Sequence, residues 1–322
     1  MTKIRWGIVG PGIIAQKFIE AVKRVDSAEL VGVASRSVER AAAFAEKYGI
    51  PRAYSSYEEM AAAPEIDVVY ISTAHPFHAP CAELFIKAKK HILCEKPLCV
   101  DSESAERLKV LAKDNGVFLM EGMWTAFLPA VIALQEEIKK GVIGEVKGLS
   151  ADFCYSIEKE EDPKLFEKGL AGGSLLDVGV YCLHFASLIL GQPECISAFS
   201  DIQNGVDYHT QMVLKYKNEA IATLSSAIKL EKPYDAHIYG TKGSIYVPNF
   251  YKADKYTVIY QEGETEEKQY PYGDNGFEFE IEEVCRCIKS GLLESPTVPL
   301  DSTINTLKQM DAVRQTIGLK FE

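Results

Sequence analysis

A lysine stands at an unusual place in this sequence, at the end of a segment with the pattern of a buried strand. Lys96 follows the short apolar run HILC and lies between Glu95 and Pro97. Such a run predicts a strand buried on both faces, and Pro97 favours extended backbone at the lysine. An ammonium group at the carboxyl end of a central strand can polarise a carbonyl or stabilise a developing alkoxide. The alternative, a surface charge paired with Glu95, fits such a strand poorly.

Glycines follow the first apolar run at a spacing suited to binding a pyrophosphate. In GIVGPGIIA, Gly10, Gly12 and Ala15 lie between a predicted strand and a predicted helix. This GxGxxA arrangement permits a tight turn, close approach of the backbone to a pyrophosphate, and packing of helix against strand. Amide groups at the start of the helix would meet the phosphate charge. The motif, in this context, predicts dinucleotide binding.

The end of the second predicted strand favours NADP over NAD. An NAD site usually offers Asp or Glu there to the ribose 2′-hydroxyl. This chain instead has Ser35, Arg36 and Ser37, with Arg40 one helical turn further on. A guanidinium and hydroxyl groups can hold a 2′-phosphate. The alternative is that Arg36 is merely solvated at a strand end.

A second group of polar residues lies in the segment GGSLLDVGVYCLH. Ser174 has the pattern of a helix N-cap, which places Asp177, Tyr181 and His184 on one helical face at i, i+4 and i+7. Asp177 would also fit a capping box, a structural role that does not exclude a functional one. A phenol with an ordinary pKa of about 10 is a poor proton shuttle, so Tyr181 would need a neighbouring ammonium and an oxidised nicotinamide. His184 is more often a core histidine than a catalyst.

Two histidines follow the third predicted strand of the first half, in STAHPFH. His75 and His78 are three residues apart and supply only two ligands, with no third in view, so no metal site is predicted. Either one could instead line a nicotinamide or substrate pocket.

Alternating strand-like and helix-like segments must position these residues. Apolar runs predict strands at 4–10, 28–35, 67–73, 91–96 and 117–121. Amphipathic segments lie between them, such as 37–48 and 101–115. The alternation predicts a doubly wound α/β fold, a Rossmann-type domain over residues 1–122 with a parallel sheet. Ligands bind outside the carboxyl ends of the strands in such sheets, where Lys96 lies.

The pattern changes after Trp124. A helix is predicted near 128–140 and another over the GGSLLDVGVY segment, followed by consecutive strands and by helices near 277–290 and 302–318. Consecutive strands with helices at the ends predict an α+β domain over 123–322 with a mostly antiparallel sheet. Its last helix could pack back on the first domain.

Bulk composition argues against several classes of protein. The 322 residues carry a formal net charge of −11, which disfavours nucleic acid or an anionic membrane as the main partner. No apolar run approaches the roughly 20 residues of a membrane span, and the first residues show no signal-peptide pattern. Eight cysteines without framework spacing favour a reduced, cytoplasmic protein.

Taken together, three motifs in this order resemble the glucose–fructose oxidoreductase / inositol dehydrogenase (Gfo/Idh/MocA) family. They are GxGxxA, then E-K-P at the end of the predicted strand 91–96, then GGxxxDxGxY, and the resemblance runs over nearly the whole chain. Within that family, RWGIVGPGII, LCEKPL and GGSLLDVGVYCLHF are most similar to the dimeric dihydrodiol dehydrogenases, which also act as NADP-dependent xylose dehydrogenases. The resemblance implies a homodimer, or a larger assembly of dimers, formed through the sheet of the second domain.

The resemblance also implies roles for particular residues. Lys96 matches the family's catalytic lysine, Asp177 its motif aspartate, and Tyr181 the position of a catalytic His or Tyr. Trp124 and Phe153 match the aromatic part of the family's substrate pocket. His184 is predicted as a third residue that contacts the substrate. The predicted cofactor-binding residues are Gly10, Gly12, Ile13, Ile14, Ser35, Arg36, Arg40, Thr73, His75, His78, Glu95 and Lys96.

One departure and several alternatives bear on the substrate. Ala126 stands where the dihydrodiol dehydrogenase pattern commonly has arginine. The expected reaction is reversible hydride transfer between NADP and a secondary alcohol, hemiacetal or vicinal diol of a sugar-like compound. Whether Lys96 or Tyr181 moves the proton stays open, because coupled groups share one titration. The alternatives are another sugar or inositol dehydrogenase or reductase of the same family, and a non-enzymatic NADP-binding regulator.

Overall fold

The chain folds into two compact units. The computed structural model describes residues 3–273 and 275–321. One unit comprises Met1–Trp124 with Gly273–Ile304, and the other comprises Thr125–Tyr272 with Asn305–Glu322.

The first unit consists of parallel strands joined by helices. Its strands are β1 (Ile4–Val9), β2 (Ala28–Ala34), β3 (Arg52–Tyr54), β4 (Val68–Ile71), β5 (His91–Glu95) and β6 (Leu119–Gly122). Its helices are α1 (Ile13–Val22), α2 (Val38–Tyr48), α3 (Tyr57–Ala62), α4 (His78–Lys87), α5 (Ser102–Asn115) and α8 (Phe277–Lys289). Over the described residues the strand order is β3-β2-β1-β4-β5-β6, and every adjacent pair is parallel. The predicted doubly wound α/β fold is confirmed.

Local sequence signals explain where these helices begin and end. Ser37 and Asp101 accept hydrogen bonds from the backbone N–H groups three residues on, and thereby cap α2 and α5. Gly49 and Gly116 end the same helices in the left-handed conformation. Strand β3 has only three residues and was not among the predicted strands.

The second unit contains the larger sheet. Its strands are β7 (Val146–Cys154), β8 (Cys195–Gln203), β9 (Val206–Lys215), β10 (Ile221–Ala227), β11 (Ala236–Gly240), β12 (Gly243–Val247), β13 (Lys255–Tyr260) and β14 (Thr265–Gln269). Its helices are α6 (Pro129–Lys139) and α7 (Val180–Leu190), and α9 (Leu300–Ile317) begins in the first unit and ends in the second. Among the described strands, the order is β14-β13-β12-β11-β7-β10-β9-β8, and only β7 and β10 pair in parallel. The predicted α+β fold with a mostly antiparallel sheet is confirmed.

The two faces of this sheet differ. Helix α7 packs on β7 and β10, and covers one face. The strand register places five exposed apolar residues on one face, because paired residues on adjacent strands point the same way. They are Phe199, Val213, Ile221, Tyr239 and Ile259.

The segment after Tyr272 belongs to a different unit from the domain predicted for it. The sequence-based division places residues 273–304 in the second domain, whereas their contacts group them with the first unit. The physical reason is that α8 packs against α1 and β2.

One segment has the length and apolar composition of a membrane span. Lys168–Leu190 meets both criteria, but 72% of its most apolar window is buried inside the protein. A helix at the core of a unit meets the same criteria, and α7 is such a helix.

Candidate active site

The glycine loop of the first unit has the shape that a pyrophosphate requires. Gly10 has a φ of 92°, and a Cβ there would lie 2.9 Å from Cγ2 of Thr73. A Cβ built on Gly12 would have its nearest neighbour at 4.0 Å, so the space at this position is open. Gly12 precedes α1 without a side-chain cap, and Ala15 is fully buried behind it. The loop therefore fits a dinucleotide phosphate at the start of α1.

The basic residues after β2 lie near this loop. The Arg36 guanidinium lies over the ring of Phe77, 4.9 Å from its centroid, and its side chain is exposed. Nη2 of Arg40 donates to the carbonyl of Pro11 at 3.3 Å, which ties α2 to the glycine loop. Ser35 is buried. These contacts bring the predicted phosphate-binding residues to one end of the sheet.

His78 connects the two loops that follow β4 and β5. Its Nδ1 lies 2.8 Å from the carbonyl oxygen of Pro97, and its Nε2 lies 3.0 Å from that of Thr73. Burial lowers the pKa of His78, against the effect of the two carbonyl oxygens. A neutral imidazole donates from only one nitrogen, so one of these contacts lacks a proton in that state. The ring of His75, half-buried, lies 5.8 Å from that of His78.

Buried carboxyl groups surround the backbone that carries Lys96. Glu95 accepts hydrogen bonds from the Tyr70 hydroxyl and from the Lys96 N–H, the latter at 3.2 Å. Oε1 of Glu121 accepts from the Leu98 N–H at 2.9 Å, and burial raises the pKa of Glu121. The Lys96–Pro97 peptide bond is cis. Lys96 itself is half-buried.

A further buried acid lies near Glu95. Glu280, in the first turn of α8, is fully buried, and neither of its carboxyl oxygens has a hydrogen-bond partner among the described residues. Burial and the neighbouring Glu95 raise the pKa of Glu280 well above its ordinary value. Trp124 packs beside the same helix, with its ring 5.3 Å from that of Phe277.

In the second unit, the GGSLLDVGVY segment begins with a π-helical turn. This turn comprises Leu175–Gly179, and α7 follows it. The hydroxyl of Tyr155 donates to Oδ2 of Asp177 at 2.6 Å. Burial, and then the Asp177 charge, raise the pKa of Tyr155, so this hydroxyl keeps its proton. Asp177 is therefore held as a hydrogen-bond acceptor.

The predicted N-cap role of Ser174 is wrong. Its hydroxyl donates to Oδ2 of Asp207 at 2.7 Å and makes no capping bond to the helix. The pattern of a hydroxyl followed three residues later by a carboxylate is local, whereas Asp207 lies 33 residues away in sequence and provides a stronger, charged acceptor. Ser174 therefore makes no side-chain cap at the start of the described turn.

Aromatic rings surround Tyr181. The ring of Phe153 lies 5.5 Å from that of Tyr181 and 4.2 Å from that of Tyr251. Tyr234 lies 5.1 Å from Phe153 on another side. Phe153 and Tyr181 are 8% and 7% exposed, so both are largely buried. These rings form one aromatic cluster in the second unit.

His184 lies in the core of the second unit. It is 1% exposed, and burial lowers its pKa to about 4. Neither ring nitrogen has a hydrogen-bond partner among the described residues. This position agrees with the interpretation of His184 as a core histidine, although its ring nitrogens lack hydrogen-bond partners among the described residues. A contact between His184 and the substrate stays a prediction.

Ala126 occupies a closed position. It is fully buried in the turn Trp124–Phe127, and the neighbouring Thr125 donates from Oγ1 to the carbonyl of Tyr251 at 2.5 Å. An arginine side chain would find no room there without movement of its neighbours.

Comparison with known proteins identifies the family. Residues 4–123 match the model described as oxidoreductase family, NAD-binding Rossmann fold, and residues 131–246 match the GFO/IDH/MocA C-terminal domain. The trans-1,2-dihydrobenzene-1,2-diol dehydrogenase of Mus musculus is 36% identical, over 99% of this chain and 98% of that protein. The chain belongs to the Gfo/Idh/MocA family. It is an NAD(P)-dependent oxidoreductase of that family.

Further relatives of this Gfo/Idh/MocA protein support the same assignment. The trans-1,2-dihydrobenzene-1,2-diol dehydrogenase of Homo sapiens is 33% identical, over 99% of this chain and 98% of that protein. A solved 3-ketoreductase from Actinomadura kijaniata, in complex with NADP and TDP-benzene, has a TM-score of 0.90 and 26% identity, and 98% of each chain is covered.

The Gfo/Idh/MocA residues predicted from sequence divide between the units. Lys96, Glu95 and the cofactor-binding residues belong to the first, with Ile13 exposed and Ile14 half-buried at the start of α1. Asp177, Tyr181 and Phe153 belong to the second. Their roles in binding and catalysis stay predictions. Among the described residues, no group of three or more His, Cys, Asp or Glu side chains could hold a metal ion.

Several residues at these sites were missed by the sequence analysis. They are Phe77, Glu121, Tyr155, Asp207, Tyr234, Tyr251 and Glu280. Phe77 lies in STAHPFH, after a predicted strand, and Glu121 is the last residue of the predicted strand 117–121. These positions at the carboxyl ends of strands could have indicated both residues. Tyr155 and Asp207 reach the GGSLLDVGVY segment from 22 and 33 residues away, and carry no local signal.

Proposed function

We propose that the protein is an NADP-preferring dehydrogenase that oxidises a secondary alcohol, hemiacetal or vicinal diol of a sugar-like substrate, reversibly. The compounds closest to this description are trans-dihydrodiols and D-xylose. The proposal is carried by the Tyr155–Asp177 hydrogen bond in the turn that leads to Tyr181, beside an aromatic wall. A protein that only bound NADP would not need a carboxylate held in this way.

The preference for NADP is supported by the residues after β2. Arg36 is exposed and supported by the Phe77 ring, and Arg40 is tied to the glycine loop. Gly10, Gly12 and the start of α1 would hold the pyrophosphate, with Ser35 and Arg36 at the 2′-phosphate. Thr73, His75, His78 and Glu95 would line or support the nicotinamide end. Bound NADP would supply the acceptor for a hydride from the carbinol carbon.

The side chains of the protein have distinct roles in this proposal. Tyr181 takes the hydroxyl proton of the alcohol as the hydride leaves the carbinol carbon, and returns it in the reverse direction. The role proposed for Lys96 is electrostatic, since an ammonium group favours negative charge that develops on a substrate oxygen. Asp177, held by Tyr155, orients the substrate.

The assembly and location are part of the proposal. The row of exposed apolar side chains from Phe199 to Ile259 supports a homodimer, or an assembly of dimers, formed through this face of the sheet. Free cysteines such as Cys154 and Cys182, both buried, fit a reduced cytoplasmic setting.

The test measures NADP and NAD reduction at 340 nm against aldoses, polyols, inositols and vicinal diols. NADP reduction with D-xylose or trans-1,2-dihydrobenzene-1,2-diol supports the proposal, and Tyr181→Phe should then lower kcat at least a hundredfold, as loss of general acid–base catalysis does. Wild-type turnover in Tyr181→Phe would remove the role given to Tyr181. Tight NADP binding without turnover of any compound would instead favour a regulator.

A further inference from the structure

Asp207 lies behind the turn that carries Asp177 and Tyr181, at the start of β9. Its side chain is fully buried. Three donors converge on its Oδ2: the Ser174 hydroxyl at 2.7 Å, the Leu175 N–H at 2.8 Å and the Thr210 hydroxyl at 2.9 Å. A buried carboxylate that accepts several hydrogen bonds is a rigid anchor, because losing any one of them leaves a polar group unpaired.

Two of these donors belong to the start of the π-helical turn. Ser174 precedes the turn and Leu175 is its first residue, so Asp207 fixes the backbone immediately before Asp177. The same Ser174 hydroxyl lies 3.0 Å from the Ser226 hydroxyl on β10. The start of the turn is therefore attached to two strands of the sheet, β9 and β10, through side chains.

The glycine before Ser174 is shaped around the same carboxyl group. Gly173 has a φ of 113°, and a Cβ there would lie 2.1 Å from Oδ1 of Asp207. Gly172 is equally confined, since its Cβ would lie 2.5 Å from the carbonyl oxygen of Leu165. Because Gly172 and Gly173 have no side chains, the carbonyl group of Leu165 and the carboxyl group of Asp207 can pack against them.

We infer that Asp207 is a positioning residue for catalysis: it holds the start of the turn so that Asp177 and Tyr181 meet the substrate in the reactive arrangement. The inference rests on the proposed function, in which those two side chains act on the substrate. Positioning acts on the reaction barrier more than on binding, since small displacements of reacting groups cost rate.

Asp207→Asn tests this role, because asparagine keeps the shape and one acceptor oxygen but loses the charge that strengthens the three hydrogen bonds. We expect kcat to fall about tenfold with NADP and D-xylose, or with trans-1,2-dihydrobenzene-1,2-diol if it is the faster substrate. KM for that substrate and the Kd for NADP should change less than about twofold, since the contacts of Asp207 do not include the glycine loop.

Two further variants separate positioning from general stability. Ser174→Ala removes the hydroxyl that links the turn to Asp207 and should lower kcat several-fold without a matching change in KM. Thr210→Val removes the third donor, which is not part of the turn, and should lower kcat less than Ser174→Ala does. Thermal unfolding of each variant establishes that rates are measured on folded protein; if Asp207→Asn does not fold, Ser174→Ala decides.

Tyr181→Phe is measured in parallel. If Tyr181→Phe keeps wild-type kcat, the proposed function fails, and the positioning inference fails with it. If Tyr181→Phe is inactive but Asp207→Asn and Ser174→Ala keep kcat within twofold, only the positioning inference is overturned. An equal loss in Thr210→Val also overturns it, because the effect would then be one of packing.

Discussion

Replacing Asp207 by asparagine should change how the stability of the second unit depends on pH. Burial raises the pKa of Asp207 from 3.8 to about 6 in the folded protein. A difference of about two, at roughly 1.4 kcal/mol for each pKa unit, corresponds to about 3 kcal/mol. Asparagine is neutral at every pH, so the variant lacks this dependence.

The sign follows from which state binds the proton first. The folded pKa lies above the unfolded one, so the folded protein takes up the proton while the unfolded chain is still ionised. The stabilisation by Asp207 protonation is therefore complete below pH ~4 and is lost as the pH rises through about 6. Relative to Asp207→Asn, the wild type should gain stability on going from pH 7.5 to 4.5, by about 2 kcal/mol of the full 3.

Urea unfolding at several pH values measures this difference. Trp6 and Trp124, the two tryptophans of the chain, both belong to the first unit, so their fluorescence reports the unfolding of that unit. Far-UV circular dichroism reports the second unit as well. Other carboxyl groups titrate equally in both proteins and cancel in the comparison. A stability difference that stays flat from pH 4.5 to 7.5, or that has the opposite slope, would refute the reasoning about a buried carboxylate.

Two more predictions concern the cofactor and the turn. Arg36→Ala should weaken NADP binding by about 10- to 100-fold and NAD binding little, because it removes charge-assisted hydrogen bonds to the 2′-phosphate. Calorimetry with both cofactors measures the two affinities. Equal losses of affinity for NADP and NAD would contradict the role of Arg36 at the 2′-phosphate. Tyr155→Phe should lower kcat about tenfold, because Asp177 loses the hydroxyl that orients it. Steady-state kinetics measures this effect, with Tyr208→Phe as the matched control. Equal losses of kcat in the two variants would show that the orientation of Asp177 is not the cause.

The fold could be read from sequence because its signals are local. The apolar runs before Gly10 and Lys96 have the length and composition of buried parallel strands, and the capping residues Ser37 and Asp101 mark helix starts that the structure contains. The three-residue β3 escaped because so short a strand has no periodicity to detect.

The environment of the site was less predictable, because its contacts are distant in sequence. Ser174 matched a capping pattern, but its hydroxyl donates a hydrogen bond to the carboxylate of Asp207 on β9. The π-helical turn that follows leaves no mark in a pattern based on ordinary helical spacing. Glu121 and Glu280 are acidic residues, which are usually exposed, and only the folded chain shows that their side chains are buried.

The confinement of Gly172 has a consequence for engineering the segment before it. The polar stretch EKEED, which precedes Leu165, is solvent-exposed for the most part and is a natural place to introduce diversity. The carbonyl of Leu165, however, occupies the space that any side chain at Gly172 would need. Libraries should therefore vary that stretch in sequence while keeping the backbone path at Leu165, since an insertion that shifted it would also displace the turn bearing Asp177.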